Sequence, residues 1–316
     1  RDGHTVAGFD GMTRYYNLRL KEKRLHILQG MEGFHFTNAM REDQDSLQNA
    51  IEFARSDVII HLEIQAGVRY SLENPKGNID LNLVGLRHVL EPFKKINIRD
   101  PMFASVSSIY GTNISIPFQG NYSGQRTPDP VCSFLKKHGG DSAFILIPLQ
   151  DSDNRFSIFL LFMPPLGTPD MAPLKLTKAI SAGTPIEIYG HGKMSPDFTY
   201  IGDLIEIRSI SFQCCTVRIE QVADIDTLSN QAPFRVVNIG GGQPVGLLDF
   251  IETVERCVGK PLQRKMLPMQ QGDAPRTFCS PDLLEALKGS KPKTDTYTSI
   301  EELVKWFNTH KNELDL

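Results

Sequence analysis

The stretch Asp57–Asn74, DVIIHLEIQAGVRYSLEN, determines how the rest of the chain is interpreted. It opens with a short apolar run, Val58-Ile59-Ile60, and then passes into the small residues Gln65-Ala66-Gly67. A short apolar run that stops at a turn is typical of a buried parallel strand. Because ligands of open α/β sheets bind beyond the carboxyl ends of such strands, we expect residues 65–70 at the mouth of a cleft. An ordinary strand–loop–helix connection explains this stretch equally well when it is taken alone.

Outward from this stretch, strand-like runs alternate with amphipathic helical patterns. The predicted strands are His4–Phe9, Gly33–Ala39, Val58–Leu62, Met102–Val106, Phe156–Met163 and Arg235–Ile239. Apolar residues at helical spacing lie between several of them, for example Leu47, Ala50, Ile51 and Ala54. This alternation predicts an α/β fold with a doubly wound, mostly parallel sheet.

The composition of the sequence changes at Pro164, where prolines become frequent and the predicted helices and strands become short. We therefore expect one domain over residues 1–163 and a smaller C-terminal lobe over most of 164–316, with 233–258 returning in part to the first domain. The motif Ser299-xx-Glu302 predicts a capping box at the start of the last helix. That helix is expected to turn four apolar side chains inward, namely Ile300, Leu303, Val304 and Phe307.

Composition excludes several classes of protein. The 316 residues carry a net charge of −3, whereas a nucleic-acid binder would show a concentrated basic surface. The five cysteines show no CxxC motif and no metal-ligand spacing with histidine, so we expect reduced thiols, a cytoplasmic location and no metal site. No apolar run is long enough to span a membrane, and no signal peptide is expected.

Several phrases of the sequence resemble one family closely. They are QAGVRYSLENP at 65–75, FASVSSIYG at 103–111, GHGKMSPDFTYIGDL at 190–204 and VVNIGGGQPV at 236–245. The chain resembles the extended short-chain dehydrogenase/reductase family, and within it the NAD-dependent nucleotide-sugar epimerases of the UDP-glucuronate 4-epimerase type. The resemblance implies a Rossmann-type NAD domain, a smaller sugar-nucleotide lobe and a homodimer. It also implies epimerisation at C4 of a UDP-sugar, UDP-glucuronate above all, through a 4-keto intermediate.

The resemblance assigns roles to individual residues. Cofactor contacts fall on Asp10, Gln65, Ala66, Gly67, Asn82 and Lys136. Catalytic roles fall on Ser107, Ser108 and Lys136, and contacts with the UDP-sugar fall on Arg69, Tyr200, Asp273 and Arg276. Taken singly, each of these residues is also explained as a cap, a turn or a solvated residue, and the spacing around Asp10 alone favours a plain turn.

The departures from the family fall on its chemistry. The chain contains neither GxxGxxG nor Tyr-xxx-Lys, and Cys132 stands at the tyrosine position when Lys136 is taken as the lysine. Val106 stands at the first catalytic hydroxyl, and Pro196 and Gly202 replace an Arg and an Asp. The first strand and glycine loop of the family would precede Arg1, so we expect both to be missing from this chain.

Two explanations of these departures stay open. One is a catalytically silent, nucleotide-sugar-binding member of the family, and the other is an ordinary epimerase whose sequence is incomplete here. A dehydratase is disfavoured because its serine run would carry an acidic pair, which Ser107 and Ser108 do not supply. We expect an NAD-dependent epimerase, with the silent binding protein as the alternative.

Overall fold

The computed structural model describes the chain in segments. They are residues 3–14, 16–40, 42–62, 74–80, 84–90, 92, 100–105, 110, 116–119, 156–161, 171–206, 221–222, 224–228, 234–269 and 276–314.

Strands occur along the whole of the described chain. They are β1 (Val6–Asp10), β2 (Phe34–Asn38), β3 (Val58–His61), β4 (Asp100–Ser105), β5 (Phe156–Leu161), β6 (Ile186–Ile188), β7 (Ser195–Pro196), β8 (Phe234–Ile239), β9 (Arg264–Met266) and β10 (Arg276–Thr277). All six predicted strands are confirmed, with ends that differ by one or two residues.

Helices lie between these strands. They are α1 (Leu18–Gln29), α2 (Gln44–Ala54), α3 (Pro75–Ile79), α4 (Gly85–Leu90), α5 (Ala172–Ala182), α6 (Leu247–Val258), α7 (Asp282–Lys288) and α8 (Thr296–Leu314). A 3₁₀ turn covers Tyr189–Gly192, and residues 201–206 are also helical.

Four pairs of described strands run parallel, as the alternating pattern predicts. β1 pairs with β2 so that Asp10 lies beside Asn38, and β3 pairs with β4. β3, β4, β5 and β8 follow one another in a four-stranded sheet. Two short parallel pairs, β6 with β9 and β7 with β10, complete the described sheets.

The chain divides into two compact units, which we describe separately. The first consists of the described residues of Arg1–Phe103 and Pro130–Phe156, and the second of those in Ala104–Asp129 and Ser157–Leu316. In the first unit, α1 packs on β2, while α2 packs on β1 and on α4. The domain boundary expected at 163/164 stays a prediction.

The second unit is built around one apolar core. Its buried members come from α5, β6, α6 and α8 together with Leu262, and include Phe250, Ile251 and Val254 of α6. Helix α6 packs against both α5 and α8. The four residues of α8 that were expected to point inward are 1–5 % exposed, which confirms the orientation of this helix.

The capping box predicted at Ser299 is wrong, because α8 begins earlier, at Thr296. Asp295 supplies the cap instead: its carboxylate accepts hydrogen bonds from Thr298 N at 2.9 Å and from Thr298 Oγ1 at 2.7 Å. Ser299 Oγ donates to Asp295 O and lies within the first helical turn. The Asp-xx-Thr motif therefore competes successfully with the Ser-xx-Glu motif four residues later, since an ionised acceptor binds backbone amides more strongly.

None of the described helices is both long and apolar enough to cross a membrane. In the same residues, His, Cys, Asp and Glu side chains do not form a group of three that could hold a metal ion. The two cysteines in the described part, Cys257 and Cys279, are free thiols.

Candidate active site

Three of the residues assigned by resemblance lie in the described part of the chain: Asp10, Tyr200 and Arg276. The others lie outside the described residues, namely Gln65, Ala66, Gly67, Arg69, Asn82, Ser107, Ser108, Lys136 and Asp273. The roles of these nine residues stay predictions.

Asp10 is the last residue of β1, at the carboxyl end of a parallel strand. Its Oδ1 accepts a hydrogen bond of 2.6 Å from Met12 N, and Met12 has a positive φ of 47°. Within the described residues, Oδ2 makes no hydrogen bond. A carboxylate that is fixed by one oxygen and offers the other fits the acid that binds an adenosine ribose in Rossmann folds.

Arg276 and Tyr200 lie on neighbouring segments of the second unit. β10 pairs with β7 so that Arg276 lies beside Ser195 and Thr277 beside Pro196. The pairing continues one residue further, because Asp197 N donates to Thr277 O at 2.9 Å. Tyr200 follows three residues later, so the segments that carry Tyr200 and Arg276 adjoin although they are far apart in sequence.

The space beside Gly202 is filled by the side chain of Tyr200. A Cβ on Gly202 would lie 2.4 Å from Tyr200 Cε1, so the tyrosine ring occupies the space of a side chain at 202. The aspartate that the family places here could not be accommodated without moving this ring. The glycine at 202, where the family has an aspartate, therefore leaves room for the Tyr200 ring.

Asp197 is a buried carboxylate that sequence reasoning did not single out. Its side chain is 2 % exposed, and its Oδ2 accepts a hydrogen bond from Gly242 N at 2.9 Å. Burial raises the pKa of Asp197 to about 6, although hydrogen bonds from the backbone of Gly242 and Gly241 act in the opposite direction. Asp197 therefore joins β7 to the loop that follows β8.

The glycine loop after β8, Gly240-Gly241-Gly242, is occupied by this internal carboxylate. Gly242 has a φ of +67°, and a Cβ there would lie 2.9 Å from Pro281 Cδ, so only glycine fits. The same loop region is held to the other side of β7 by a hydrogen bond from Val245 N to Pro196 O at 3.0 Å. The amides of this loop thus bind Asp197, where a phosphate-binding loop would bind a ligand.

A second buried network begins at Tyr110, directly after the predicted serine run. Its hydroxyl donates to Asn238 Oδ1 at 2.8 Å, and Asn238 Nδ2 donates to Phe118 O at 3.0 Å. The Tyr110 ring also stacks on Phe118, with centroids 4.7 Å apart. Burial raises the pKa of Tyr110 above its ordinary value. A buried tyrosine that already donates its proton to an amide is poorly suited to act as a general base.

Phe118 connects this network to the segment that carries Arg276. Phe118 N donates to Phe278 O, and Ser280 N donates to Phe118 O, each at 2.9 Å. Cys279 lies between them and is fully buried, and its pKa is raised chiefly by burial and further by the charge of Asp197. Hydrogen bonds therefore link Tyr110, the end of β8, the β10 segment, β7 and the glycine loop into one rigid frame.

Comparison with known proteins places this frame in a family. A family model described as the NAD dependent epimerase/dehydratase family matches residues 1–213. The chain belongs to this family. A protein of Rhizobium meliloti (strain 1021) named probable UDP-glucuronate 4-epimerase is 49 % identical over 312 residues, which are 97 % of this chain and 91 % of that protein. Protein CapI of Staphylococcus aureus is 35 % identical and covers 97 % of this chain and 92 % of its own length.

Solved structures show the same fold. The crystal structure of UDP-glucuronic acid 4-epimerase from Bacillus cereus, in complex with UDP-glucuronic acid and NAD, superposes with a TM-score of 0.82 at 23 % identity. The superposition covers 96 % of this chain and 91 % of the Bacillus cereus chain. The Rossmann-type α/β fold class is therefore confirmed. The expectation of a missing first strand is not borne out by these comparisons.

Sequence reasoning found part of this frame and missed the rest. It quoted Phe198-Thr199-Tyr200 and Asn238 within family phrases but gave no role to Asp197, Thr199 or Tyr110. One signal was present: Asp197 is the only acid between Glu187 and Asp203, in a segment otherwise rich in apolar and small residues. What the sequence could not show was its partner, because Gly242 lies 45 residues away.

Proposed function

We propose that the chain is an NAD-dependent nucleotide-sugar 4-epimerase that acts on UDP-glucuronate. The observation that carries the proposal is 49 % identity over 97 % of the chain to a relative named probable UDP-glucuronate 4-epimerase. The described geometry supports it at Asp10, whose carboxylate fits a ribose hydroxyl, and in the second unit, where Arg276 and Tyr200 lie on adjoining segments.

The proposed reaction leaves the substrate with no net oxidation. The sugar C4 loses a hydride and its hydroxyl loses a proton, which gives a 4-keto sugar; hydride and proton then return with the hydride on the opposite face. NAD, when bound, supplies the hydride acceptor and donor. The chain contributes the ribose acceptor Asp10, and a cation for the diphosphate at Arg276. Ser107, Ser108 and Lys136 are proposed to act on the hydroxyl proton.

A catalytically silent binding protein is the second candidate, and one observation favours it. The chain lacks Tyr-xxx-Lys, and the tyrosine nearest the serine run, Tyr110, is buried and donates to Asn238. Loss of a general base costs about 10²–10⁴ in rate. A silent member would bind NAD and UDP-glucuronate and give no C4 epimer.

Cofactor content and turnover separate the two candidates. We expect NAD to be released when the purified protein is denatured, and UDP-glucuronate to be converted to its C4 epimer. In D₂O the product should keep protium at C4, because the hydride is returned without exchange with solvent. Bound NAD and UDP-glucuronate without turnover would establish the silent member, and a protein that binds neither would overturn the proposal.

Tyr110→Phe tests whether another tyrosine has taken over the chemistry. We expect kcat to stay within a few-fold of wild type, because the Tyr110 hydroxyl is committed to Asn238. The free energy of unfolding should fall by about 1–3 kcal/mol, since the buried Asn238 Oδ1 loses its donor. A loss of kcat of a hundredfold or more with unchanged binding of UDP-glucuronate would identify Tyr110 as the base.

The homodimer and the cytoplasmic location are also proposed for this chain. The first rests on the family resemblance, and the second on the five cysteines, whose spacing shows no CxxC motif and favours reduced thiols. Sedimentation of the purified protein tests the first, and cell fractionation tests the second.

A further inference from the structure

Thr199 holds a buried hydroxyl that makes no hydrogen bond. The residue is 4 % exposed, and its Oγ1 is one of two buried side-chain oxygens without a partner in the described part of the chain, the other being Glu42 Oε2. An unpaired buried hydroxyl costs about 1–3 kcal/mol relative to one that is satisfied. Such a group is uncommon in native proteins and calls for a physical reason.

The two residues that precede Thr199 contact the apolar core and the end of β8. The Phe198 ring stacks on Phe250 of the core, with centroids 4.0 Å apart. Asp197 reaches Gly242, just beyond the carboxyl end of β8. Thr199 itself is 4 % exposed and follows these two residues directly in the chain. In open α/β sheets the carboxyl end of the strands is where ligands bind.

The polar groups of Asp197, two residues before Thr199, are already engaged. The Asp197 carboxylate accepts from the Gly242 and Gly241 backbone, and its backbone N donates to Thr277 O. The strand that carries Thr277 also carries Arg276, whose cation is proposed to bind the diphosphate. The Thr199 hydroxyl is therefore an unpaired donor, two residues along the chain from a carboxylate that is hydrogen-bonded to the loop after β8 and whose backbone N is hydrogen-bonded to this strand.

We propose that Thr199 is a substrate-binding residue whose hydroxyl donates a hydrogen bond to an oxygen of the UDP moiety. The proposal rests on the proposed function, because it takes UDP-glucuronate as the ligand. Binding of the nucleotide satisfies a donor that the free protein leaves unpaired. The hydroxyl thus contributes to affinity without contributing to the stability of the free protein.

Three variants test this role by titration calorimetry with UDP and by thermal unfolding. Thr199→Val removes only the hydroxyl, and it should weaken UDP binding about tenfold while leaving Tm unchanged or raised. Thr199→Ser keeps the hydroxyl and loses a buried methyl group, so it should bind UDP as wild type does and show a lower Tm. If Thr199 contributed to packing alone, the variant that binds UDP more weakly could not also be the variant with the higher Tm.

Thr177→Val is the matched control. Thr177 is also fully buried, but its hydroxyl donates to Pro173 O at 2.8 Å, so its loss should leave the Kd for UDP unchanged. In turnover assays, Thr199→Val should raise KM for UDP-glucuronate by the same factor as the Kd for UDP, with kcat nearly unchanged.

The outcomes separate this inference from the proposed function. Wild-type affinity for UDP in Thr199→Val overturns the role of Thr199 and leaves the epimerase proposal standing. A loss of affinity for UDP-glucuronate with unchanged affinity for UDP also overturns it, since the hydroxyl would then bind the sugar. If wild type binds neither UDP nor UDP-glucuronate, both proposals fail.

Discussion

Asp197 and Asp226 are two buried aspartates in the second unit, and their pKa values are shifted in opposite directions. Asp226 faces Arg235 of β8, with Nε to Oδ1 and Nη2 to Oδ2 both at 2.9 Å. Asp197 forms no ion pair with another described residue and is held by backbone amides. Burial by itself acts to raise the pKa of both carboxyls. At Asp226 the hydrogen bonds from Val222, Arg235 and Leu228 outweigh burial and lower the pKa, whereas at Asp197 burial prevails.

The difference shows that burial does not decide the charge of a carboxyl by itself. A bidentate guanidinium compensates for the lost hydration of Asp226. Two amide dipoles compensate only in part at Asp197, whose pKa rises to about 6. Asp226 is therefore an anchor that stays ionised near neutral pH, while Asp197 changes its protonation just below neutrality, in the frame that carries the proposed substrate residues.

The largest effect is expected from Asp226→Asn. The substitution keeps the shape of the side chain but removes the negative charge that faces the Arg235 guanidinium, which is 3 % exposed. Breaking a buried ion pair by removing one partner costs about 3–5 kcal/mol. Urea unfolding at pH 7 measures the loss. Asp80→Asn is the control, since it breaks the exposed pair with Lys76 and should leave the unfolding midpoint unchanged. A change of less than about 1 kcal/mol in Asp226→Asn would mean that the pair contributes no more than a surface pair.

Asp197→Asn should remove a pH dependence of stability rather than stability itself. Between its ordinary pKa of 3.8 and about 6, Asp197 is protonated in the folded state and ionised in the unfolded state. The folded state then binds more protons, so stability falls as the pH rises through this window. The difference between the two pKa values corresponds to about 3 kcal/mol in the free energy of unfolding.

Urea unfolding of wild type and Asp197→Asn at pH 4, 5, 6 and 7 measures this contribution. The difference between the two profiles should change by about 3 kcal/mol across the window and be flat above pH 7. Cys279, the other titratable group that interacts with Asp197, stays a neutral thiol throughout because its pKa is raised. Parallel profiles would show that the carboxyl titrates as it does in the unfolded chain.

The smallest effects distinguish the two glycines that hold Asp197. Gly242→Ala should cost about 2 kcal/mol, because φ is +67° and the new methyl would meet Pro281 Cδ at 2.9 Å. Gly241→Ala is the matched variant: its nearest neighbour would be Asp197 Oδ1 at 3.4 Å, and its φ is not positive. It should change stability by no more than about 0.5 kcal/mol. Equal losses in the two variants would show that backbone strain at Gly242 is unimportant.

Local patterns predicted the elements of this fold well. The apolar stripe on α8 was predicted at Ile300, Leu303, Val304 and Phe307, and all four side chains are buried. Prediction was wrong at the start of α8, where two capping motifs lie within eight residues and only the helix itself shows which one is used. Such competition depends on small energy differences that the sequence does not reveal.

The candidate site was predicted as a set of residue types and not as a set of contacts. Asp10, Tyr200 and Arg276 were assigned by resemblance, and the pairing of β7 with β10 that brings the last two onto neighbouring segments is a property of the fold. Asp197 and Thr199 lie in a phrase that the sequence marked as important. The Asp197 carboxylate has a partner 45 residues away in the chain, and the Thr199 hydroxyl is buried without a partner.

The sequence by itself determined the alternation of strands and helices, the family and the absence of Tyr-xxx-Lys, because these depend on residue type and local spacing. Only the tertiary structure decided that Tyr110 is committed to Asn238, that the glycine loop after β8 binds Asp197, and that the Thr199 hydroxyl is left unpaired. The physical reason is the same in each case. The free energy of a polar group depends on burial and on its partners, and both are supplied by residues distant in the chain.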